Sequence, residues 1–260
     1  MTLRFEKWEG LGNDYLLVDR GDFGDRDPKS WTVRWSDRNF GVGSDGLILV
    51  GEDPLSMRIF NADGSEGAMC GNGIRAVAAQ FARRKGELWS GSVSTQSGDR
   101  QCEVLSLGDS GVDMVTVNMG AAVITALPTG LSVPFPGVHV DVGNPHYVAF
   151  VPDCEDVVLE EIGPPIENAP VFPDRINVQI ANVRNDGTLR LRTWERGSGV
   201  TKACGTGACA VAAAYLKQEV SRKNTVKLEL DGGCLDITRR GNEFWMTGPA
   251  RCVYSGVVPD

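Results

Sequence analysis

The feature that most constrains this chain is a short motif that occurs twice. In each copy a cysteine is followed directly by Gly-x-Gly and an alanine-rich run, beginning at Cys70 and again at Cys204. Apolar residues fall at the same offsets from each cysteine, with the spacing of one helical face. They are Ile74, Val77, Ala78 and Phe81 in the first copy, and Ala208, Val211, Ala212 and Tyr215 in the second. The sequence therefore predicts two buried helices, each with a thiol at its N-terminus.

A second correspondence indicates that more than the helix is duplicated. Asn13 lies in the stretch Gly12–Tyr15, 57 residues before Cys70, and Asn144 lies in Gly143–Tyr147, 60 residues before Cys204. Nearly constant separation between equivalent residues is typical of an internal repeat. Because strands are predicted on both sides of each helix, we expect two α+β halves, each wrapping an antiparallel sheet around one apolar helix.

The boundary between the halves is expected within residues 121–136, a segment that contains several prolines. We therefore predict an N-terminal domain over residues 1–120 and a C-terminal domain over 121–250. Residues 153–173 are acidic and contain prolines, which predicts a surface segment. Near the C-terminus, residues 243–246 and 253–257 are predicted as two separate short strands.

Composition excludes several classes of partner. The net charge of −8 disfavours nucleic acid and anionic membrane surfaces. No segment approaches the ~20 apolar residues that span a bilayer, and the first residues contain no signal-peptide core. Seven cysteines without a Cys-x-x-Cys pair predict reduced thiols and a cytoplasmic protein. Since only His139 and His146 are present, no histidine-rich metal site is predicted.

The duplicated thiols suggest a chemistry. A helix N-terminus offers free N–H groups and a partial positive charge, which favour a bound carboxylate and also a thiolate. The helix terminus is expected to lower a thiol pKa from about 8.5 by roughly 1.5 units, close to neutrality. Two thiols beside a carboxylate site predict proton transfer at the carbon next to that carboxylate.

The chain resembles the diaminopimelate epimerase family at motifs that extend over nearly its whole length. These motifs are Gly12–Asp14, Asn61–Glu66, Cys70–Arg75, Gly143–His146, Asn177-Val178, Glu195–Thr201, Ala203–Ala208 and Met246–Ala250. The resemblance implies two pseudo-symmetric domains, each a mostly antiparallel sheet or barrel around a central helix, with the active site in the cleft between them. It also implies that the C-terminal strand, about residues 251–260, returns to the first domain.

The activity implied by the resemblance is stereoinversion at the α-carbon of LL-diaminopimelate, giving the meso form for lysine and cell-wall precursors. Cys70 and Cys204 would be the catalytic acid and base, without pyridoxal phosphate, any other cofactor or a metal. The substrate would be a small-molecule amino acid, and a homodimer is retained as one option for the assembly. The predicted substrate-binding residues are Asn13, Asn61, Gly71, Asn72, Asn144, Asn177, Glu195, Arg196, Gly205 and Thr206.

Other interpretations remain open at this point. Both cysteines could be buried structural residues, and asparagine beside glycine is most often a turn residue. Many family members carry Gln where this chain has Gly46. A racemase of the same fold acting on another amino acid, such as histidine, is therefore the main rival. A binding or isomerase-like protein in which the thiols do no chemistry is a rival of a different class.

Overall fold

The computed structural model describes residues 2–218 and 223–259, which divide into two compact units. The first unit comprises Met1–Val117 with Gly248–Asp260, and the second comprises Asn118–Thr247. The helices are α1 Arg20–Phe23, α2 Pro28–Ser36, α3 Gly71–Lys85, α4 Leu159–Glu167 and α5 Gly205–Gln218. No helix within the described ranges is long and apolar enough to cross a membrane.

The strands make up most of both units. In the first half of the chain they are β1 Thr2–Gly10, β2 Asn13–Asp19, β3 Gly46–Glu52, β4 Leu55–Asn61, β5 Glu66–Gly67, β6 Ser90–Thr95, β7 Gly98–Leu107 and β8 Val112–Ala121. In the second half they are β9 Val123–Thr125, β10 Gly137–Asp141, β11 Pro145–Phe150, β12 Asn177–Val183, β13 Leu189–Glu195, β14 Gly199–Thr201, β15 Thr225–Leu230, β16 Gly233–Arg240 and β17 Glu243–Pro259.

Strand pairing repeats from the first unit to the second. Strand β2 is parallel to β3 as β11 is to β12. The next pairs, β3 with β4 and β12 with β13, are both antiparallel. Strands β4 and β6 are parallel, as are β13 and β15, and antiparallel hairpins follow in both units. The predicted α+β class is confirmed, and the shared pairing scheme defines equivalent positions in the two units.

The duplicated helices are each buried within their own unit. Ile74, Val77 and Ala78 of α3 have no solvent exposure, and α5 is buried to the same degree from Ala208 to Ala212. Helix α3 contacts strands β1 to β4 and β7, while α5 contacts β10 to β12, β15 and β16. Burial extends beyond the predicted single face, because strands pack on several sides and alanine lets them approach closely. Gly86 ends α3 in the left-handed conformation, with φ of 72°.

Two predictions about the second half of the chain are wrong. The segment 153–173 is not confined to the surface, since α4 lies in it and Leu159 and Ile166 are buried in the second unit's core. Glu160 and Glu161 are exposed on α4 while Leu159 and Ile166 face the core, a division that composition alone conceals. The two strands predicted at 243–246 and 253–257 are one continuous strand, β17. Its first part pairs with β16 and its last part pairs with β1, so the Gly-Pro in its middle does not end it.

Gly46 opens β3 at a position where the backbone of β4 is very close. A Cβ atom there would lie 2.1 Å from the carbonyl oxygen of Phe60. We expect Gly46→Ala to lower the free energy of unfolding by about 1–3 kcal/mol, because β3 must shift away from β4. Denaturant unfolding measures this, with Gly21→Ala as the control, since its nearest atom is a side-chain oxygen of Asp19 at 3.1 Å. Equal stability of both variants would contradict the assigned strand register.

Candidate active site

The two duplicated cysteines begin the two buried helices. Cys70 is the N-cap residue of α3, with φ of −135° and ψ of 123°, and its side chain makes no capping hydrogen bond. The amide of Ile74 donates to the carbonyl of Cys70 at 2.9 Å, and Ala208 donates in the same way to Cys204 at 2.9 Å. Each sulfur is therefore held beside the open N–H groups of a first helical turn, where an anion is favoured.

The surroundings of Cys70 come from β2. Tyr15 donates its hydroxyl to the Cys70 sulfur at 3.4 Å, and the sulfur lies 3.6 Å from Asn13 Oδ1. Burial, followed by the proximity of Cys70, raises the pKa of Tyr15 well above its usual value, so the phenol keeps its proton. Tyr15 was missed by the sequence analysis. The signal was available, because Tyr15 and His146 occupy the same place in the two repeated Asn-containing stretches.

The Asn13 side chain is oriented by a charged cluster that consists of Asp14, Arg38 and Asp45. Its Nδ2 donates to Asp45 Oδ2 at 2.6 Å, which leaves Oδ1 facing Cys70 and Asn72 Nδ2, the latter at 3.3 Å. Arg38 bridges Asp14 at 2.7 Å and Asp45 at 2.8 Å. Because an amide donates only through nitrogen, the Asp45 carboxylate fixes which end of Asn13 meets the sulfur.

Helix α3 adds a second layer to this arrangement. Arg75 is fully buried, and its Nη2 donates to Asn72 Oδ1 at 2.8 Å. Its Nη1 donates to the carbonyl of Gly71 at 3.2 Å, and its Nε to the carbonyl of Pro249 at 3.1 Å. Arg75 thus fixes the Asn72 amide and joins the helix start to β17.

The surroundings of Cys204 are more buried and more polar. Gly207 donates its backbone N–H to the sulfur at 3.4 Å, and Thr206 Oγ1 lies 3.5 Å from it. Burial, followed by the Glu195 carboxylate, raises the pKa of the Cys204 thiol well above its usual value, while hydrogen bonds from Thr206 and Gly207 oppose that rise. A helix terminus was expected to bring one of the two thiols close to neutrality, and at Cys204 burial outweighs that effect.

Glu195 is the end residue of β13 and lies beside Cys204. It accepts the Thr201 hydroxyl at 2.5 Å. Burial raises the pKa of its carboxyl, against hydrogen bonds with Thr201 and Cys204. A half-buried carboxyl and a buried thiol in contact compete for protons, so this pair favours a state in which at least one of them is protonated.

The other predicted asparagines each form hydrogen bonds within their own unit. Asn144 Nδ2 donates to Thr206 Oγ1 at 3.3 Å, which joins the repeated asparagine stretch to the start of α5. Asn177 Oδ1 accepts the backbone N–H of Arg196 at 3.0 Å. Asn61 is exposed at the end of β4 and donates to Ser65 Oγ at 3.0 Å. Among the described hydrogen bonds of Asn61, none reaches another predicted site residue.

The pairing scheme shows which residues occupy equivalent positions in the two units. Gly46 and Asn177 both open a strand parallel to the asparagine-bearing hairpin. Opposite them, Asn61 pairs with Gly46 across β3–β4, and the equivalent residue of β13 is Glu195. The first unit therefore has glycine and an amide where the second has an amide and a carboxylate. Similar scaffolds carry different polar groups.

Comparison with known proteins identifies first the fold and then the family. A phenazine biosynthesis protein of the PhzF family from Bacillus anthracis superposes with a TM-score of 0.75 at 17% identity, covering 100% of both chains, which shows a shared fold. The family described as diaminopimelate epimerase matches residues 5–125 and 138–253. The chain belongs to the diaminopimelate epimerase family.

Full-length relatives agree with this assignment. The diaminopimelate epimerase of Bacteroides thetaiotaomicron is 44% identical over 98% of this chain and 97% of its own length. That of Synechococcus elongatus is 42% identical over 98% of each chain. The predicted family is confirmed. The roles of the individual site residues stay predictions.

Proposed function

We propose that the chain interconverts LL- and meso-diaminopimelate, with Cys70 and Cys204 as paired acid and base. One thiolate removes the α-proton from one face of the substrate, and the other thiol delivers a proton to the opposite face. The observation that carries this proposal is the repeated placement of a thiol at the N-terminus of a buried helix. The family membership supplies the substrate class.

The first helical turns are suited to hold the α-carboxylate while the carbanion forms. Negative charge that develops on this group is stabilised by preorganised N–H donors at a helix start. We assign this role to the backbone N–H groups of Gly71, Asn72, Gly205 and Thr206. The side chains of Asn13, Asn72 and Asn144 then border the two sulfurs, as their contacts with Cys70 and Thr206 support.

The distal end of the substrate carries a second amino acid group. We assign its carboxylate to Arg196, whose guanidinium can grip it with two parallel hydrogen bonds. Asn61, Asn177 and Glu195 supply amide and carboxyl groups suited to an ammonium or carboxylate. This reaction needs no cofactor or metal, and we place it in the cytoplasm, in lysine and cell-wall precursor synthesis, with a homodimer as the proposed assembly.

A racemase acting on another amino acid is the second candidate function. The observation in favour of such a racemase is the close approach of Gly46 to the carbonyl of Phe60. A larger side chain does not fit at position 46 without moving β3. Any substrate contact from a family Gln is absent here. Racemisation of histidine with inert diaminopimelate would support this candidate, while the absence of any such activity would support a binding protein.

Deuterium incorporation tests the proposal directly. When LL-diaminopimelate is incubated in D₂O without pyridoxal phosphate, we expect newly formed meso product to carry deuterium at the inverted carbon from the first turnover. The protonating thiol exchanges with solvent before it acts, so recovered LL substrate should lag in deuterium content. Mass spectrometry combined with chiral separation measures both.

The distal α-carbon serves as an internal control in this experiment, because a single reacting centre should exchange while the other keeps its proton. Return of the original proton to the meso product would indicate one base that serves both faces. That result would contradict the pairing of Cys70 with Cys204.

A further inference from the structure

A continuous chain of hydrogen bonds in the second unit ends at Cys204, and we call it the Cys204 relay. Its far end joins Thr193 Oγ1 to Gln179 Oε1 at 2.7 Å, and Gln179 Nε2 to His146 Nδ1 at 3.2 Å. From there His146 Nε2 contacts Asn144 Oδ1 at 3.0 Å, and Asn144 Nδ2 contacts Thr206 Oγ1 at 3.3 Å. The last contact joins Thr206 Oγ1 to Cys204 Sγ at 3.5 Å. Gln179 and His146 have no solvent exposure, and Thr193 is 2% exposed.

The direction of donation is fixed at the far end of the relay. An amide accepts only through oxygen and donates only through nitrogen. Because Thr193 donates to the side-chain oxygen of Gln179, the side-chain nitrogen of Gln179 faces His146 Nδ1. A neutral imidazole has one donor and one acceptor, so Nδ1 accepts and the ring proton is on Nε2. Burial, followed by the charges of His139 and Arg196, lowers the pKa of His146 to about 3, which keeps the ring neutral.

The same direction continues to the sulfur. The Nε2–H of His146 donates to Asn144 Oδ1, so the Asn144 nitrogen donates to Thr206 Oγ1. The Thr206 hydroxyl lies within hydrogen-bond distance of Cys204 Sγ, and when Cys204 is a thiolate the hydroxyl is the donor, because a thiolate only accepts. Together with the N–H of Gly207, this places two donors on the sulfur. Hydrogen bonds to a charged group are stronger than those to a neutral one, so the donors favour a thiolate.

The first unit shows that the fold does not need this polar chain. By strand register, Gln179 is equivalent to Ile48 and Thr193 to Ile59. A Cβ at Gly73 would lie 2.7 Å from Ile48 Cδ1, and a Cβ at Gly207 would lie 2.6 Å from the Gln179 amide, so both side chains pack on the helix start in the same way. Burying an amide costs free energy unless it is hydrogen-bonded, and isoleucine avoids that cost. The presence of Gln179 and Thr193 in the second unit, in place of two isoleucines, therefore indicates a role beyond packing.

We propose that Gln179 is a positioning residue that holds His146 in the Nε2–H tautomer and so directs the Thr206 hydroxyl to Cys204. The described hydrogen bonds of the Gln179 side chain go to His146 and Thr193, so its link to Cys204 runs through other residues. The catalytic part of this inference rests on the proposed function, since it needs Cys204 to act as a base. The tautomer of His146 does not depend on that function and can be measured without substrate.

The test is Gln179→Glu. A carboxylate at this position accepts a hydrogen bond from Nδ1–H, which favours the opposite tautomer and turns the later donors away from Cys204. Loss of one hydrogen bond to a thiolate is expected to lower kcat by roughly 10- to 100-fold. Long-range ¹H–¹⁵N NMR reads the tautomer, and the chain has only 2 histidines, so His139→Gln assigns the spectrum. Gln101→Glu, at an exposed position, is the control for the added charge.

The proposal requires the tautomer and the rate to change together. An Nδ1–H tautomer in the parent protein overturns it, as does a reversed tautomer with an unchanged kcat, or a retained Nε2–H tautomer with a lost kcat. Should Gln179→Glu fail to fold, Thr193→Val frees the amide with little change of volume, and the same pair of measurements decides. If Cys204→Ser leaves epimerisation intact while the tautomer behaves as expected, the proposed function fails and the tautomer assignment stands.

Discussion

Cys70→Ser and Cys204→Ser are each expected to lower kcat for diaminopimelate epimerisation by roughly 10²- to 10⁴-fold, the contribution of a positioned general acid or base. A hydroxyl is a much weaker acid than a thiol, so serine serves neither as base nor as ready proton donor. At Cys204 the N–H of Gly207 and the hydroxyl of Thr206 remain available to bind a serine oxygen. The fold should therefore survive, and circular dichroism with thermal unfolding checks that it does.

The matched control is Cys234→Ser, which makes the same atomic change at an exposed cysteine of β16. It should keep the parental rate. Normal turnover by either Cys70→Ser or Cys204→Ser would exclude the two-base mechanism. A loss of activity accompanied by unfolding would instead assign the cysteine to the core, in agreement with the structural interpretation of these residues.

Arg196→Lys is expected to raise the KM for diaminopimelate by roughly 10- to 100-fold, although the charge is kept. Arg196 is anchored by its backbone N–H on Asn177 Oδ1 at 3.0 Å, and its Nη1 donates to the carbonyl of Asp174. This anchoring holds the planar guanidinium in one orientation, which suits two parallel bonds to the distal carboxylate. An ammonium group lacks that geometry. Because the carboxylate is held equally in ground and transition states, kcat should change little.

Steady-state kinetics separate the two parameters. Arg184→Lys is the control, since Arg184 makes an exposed bidentate pair with Glu229. It should leave both kcat and KM unchanged. An Arg196→Lys enzyme with parental KM would remove Arg196 from the substrate site and would strengthen the case for a substrate with a single carboxylate.

The sequence alone determined the local pattern of the fold. The two cysteine-headed helices and the left-handed glycine that ends α3 follow from short-range rules. Composition did not predict burial correctly for a segment whose helix has one polar and one apolar side. Residues 153–173 have a polar average, but the apolar side of α4 is buried, and only the packed core reveals which side matters.

Only those residues of the candidate site that lie in recognisable sequence motifs could be predicted. Cys70 and Cys204 stand out because the repeat contains the same motif twice, and Asn13, Asn72 and Asn144 stand out beside glycine. Asp45, Gln179 and Thr193 do not stand out, since each lies within a strand or at its edge and its partner is distant in sequence. The contact of Gln179 with His146 joins residues 33 positions apart, and strand register decides it.

The protonation of Cys204 was also beyond the sequence. A helix N-terminus is a local feature that lowers a thiol pKa, and it can be predicted from the Cys-Gly-x-Gly motif. Burial and the approach of Glu195 to Cys204 are tertiary features, and they raise the pKa. The sequence thus determined which two sulfurs are available and where the helices begin. The burial of Cys204 and the position of Glu195 at the end of β13 decided the protonation of this thiol, because desolvation and a neighbouring carboxylate outweigh the field of a single helix.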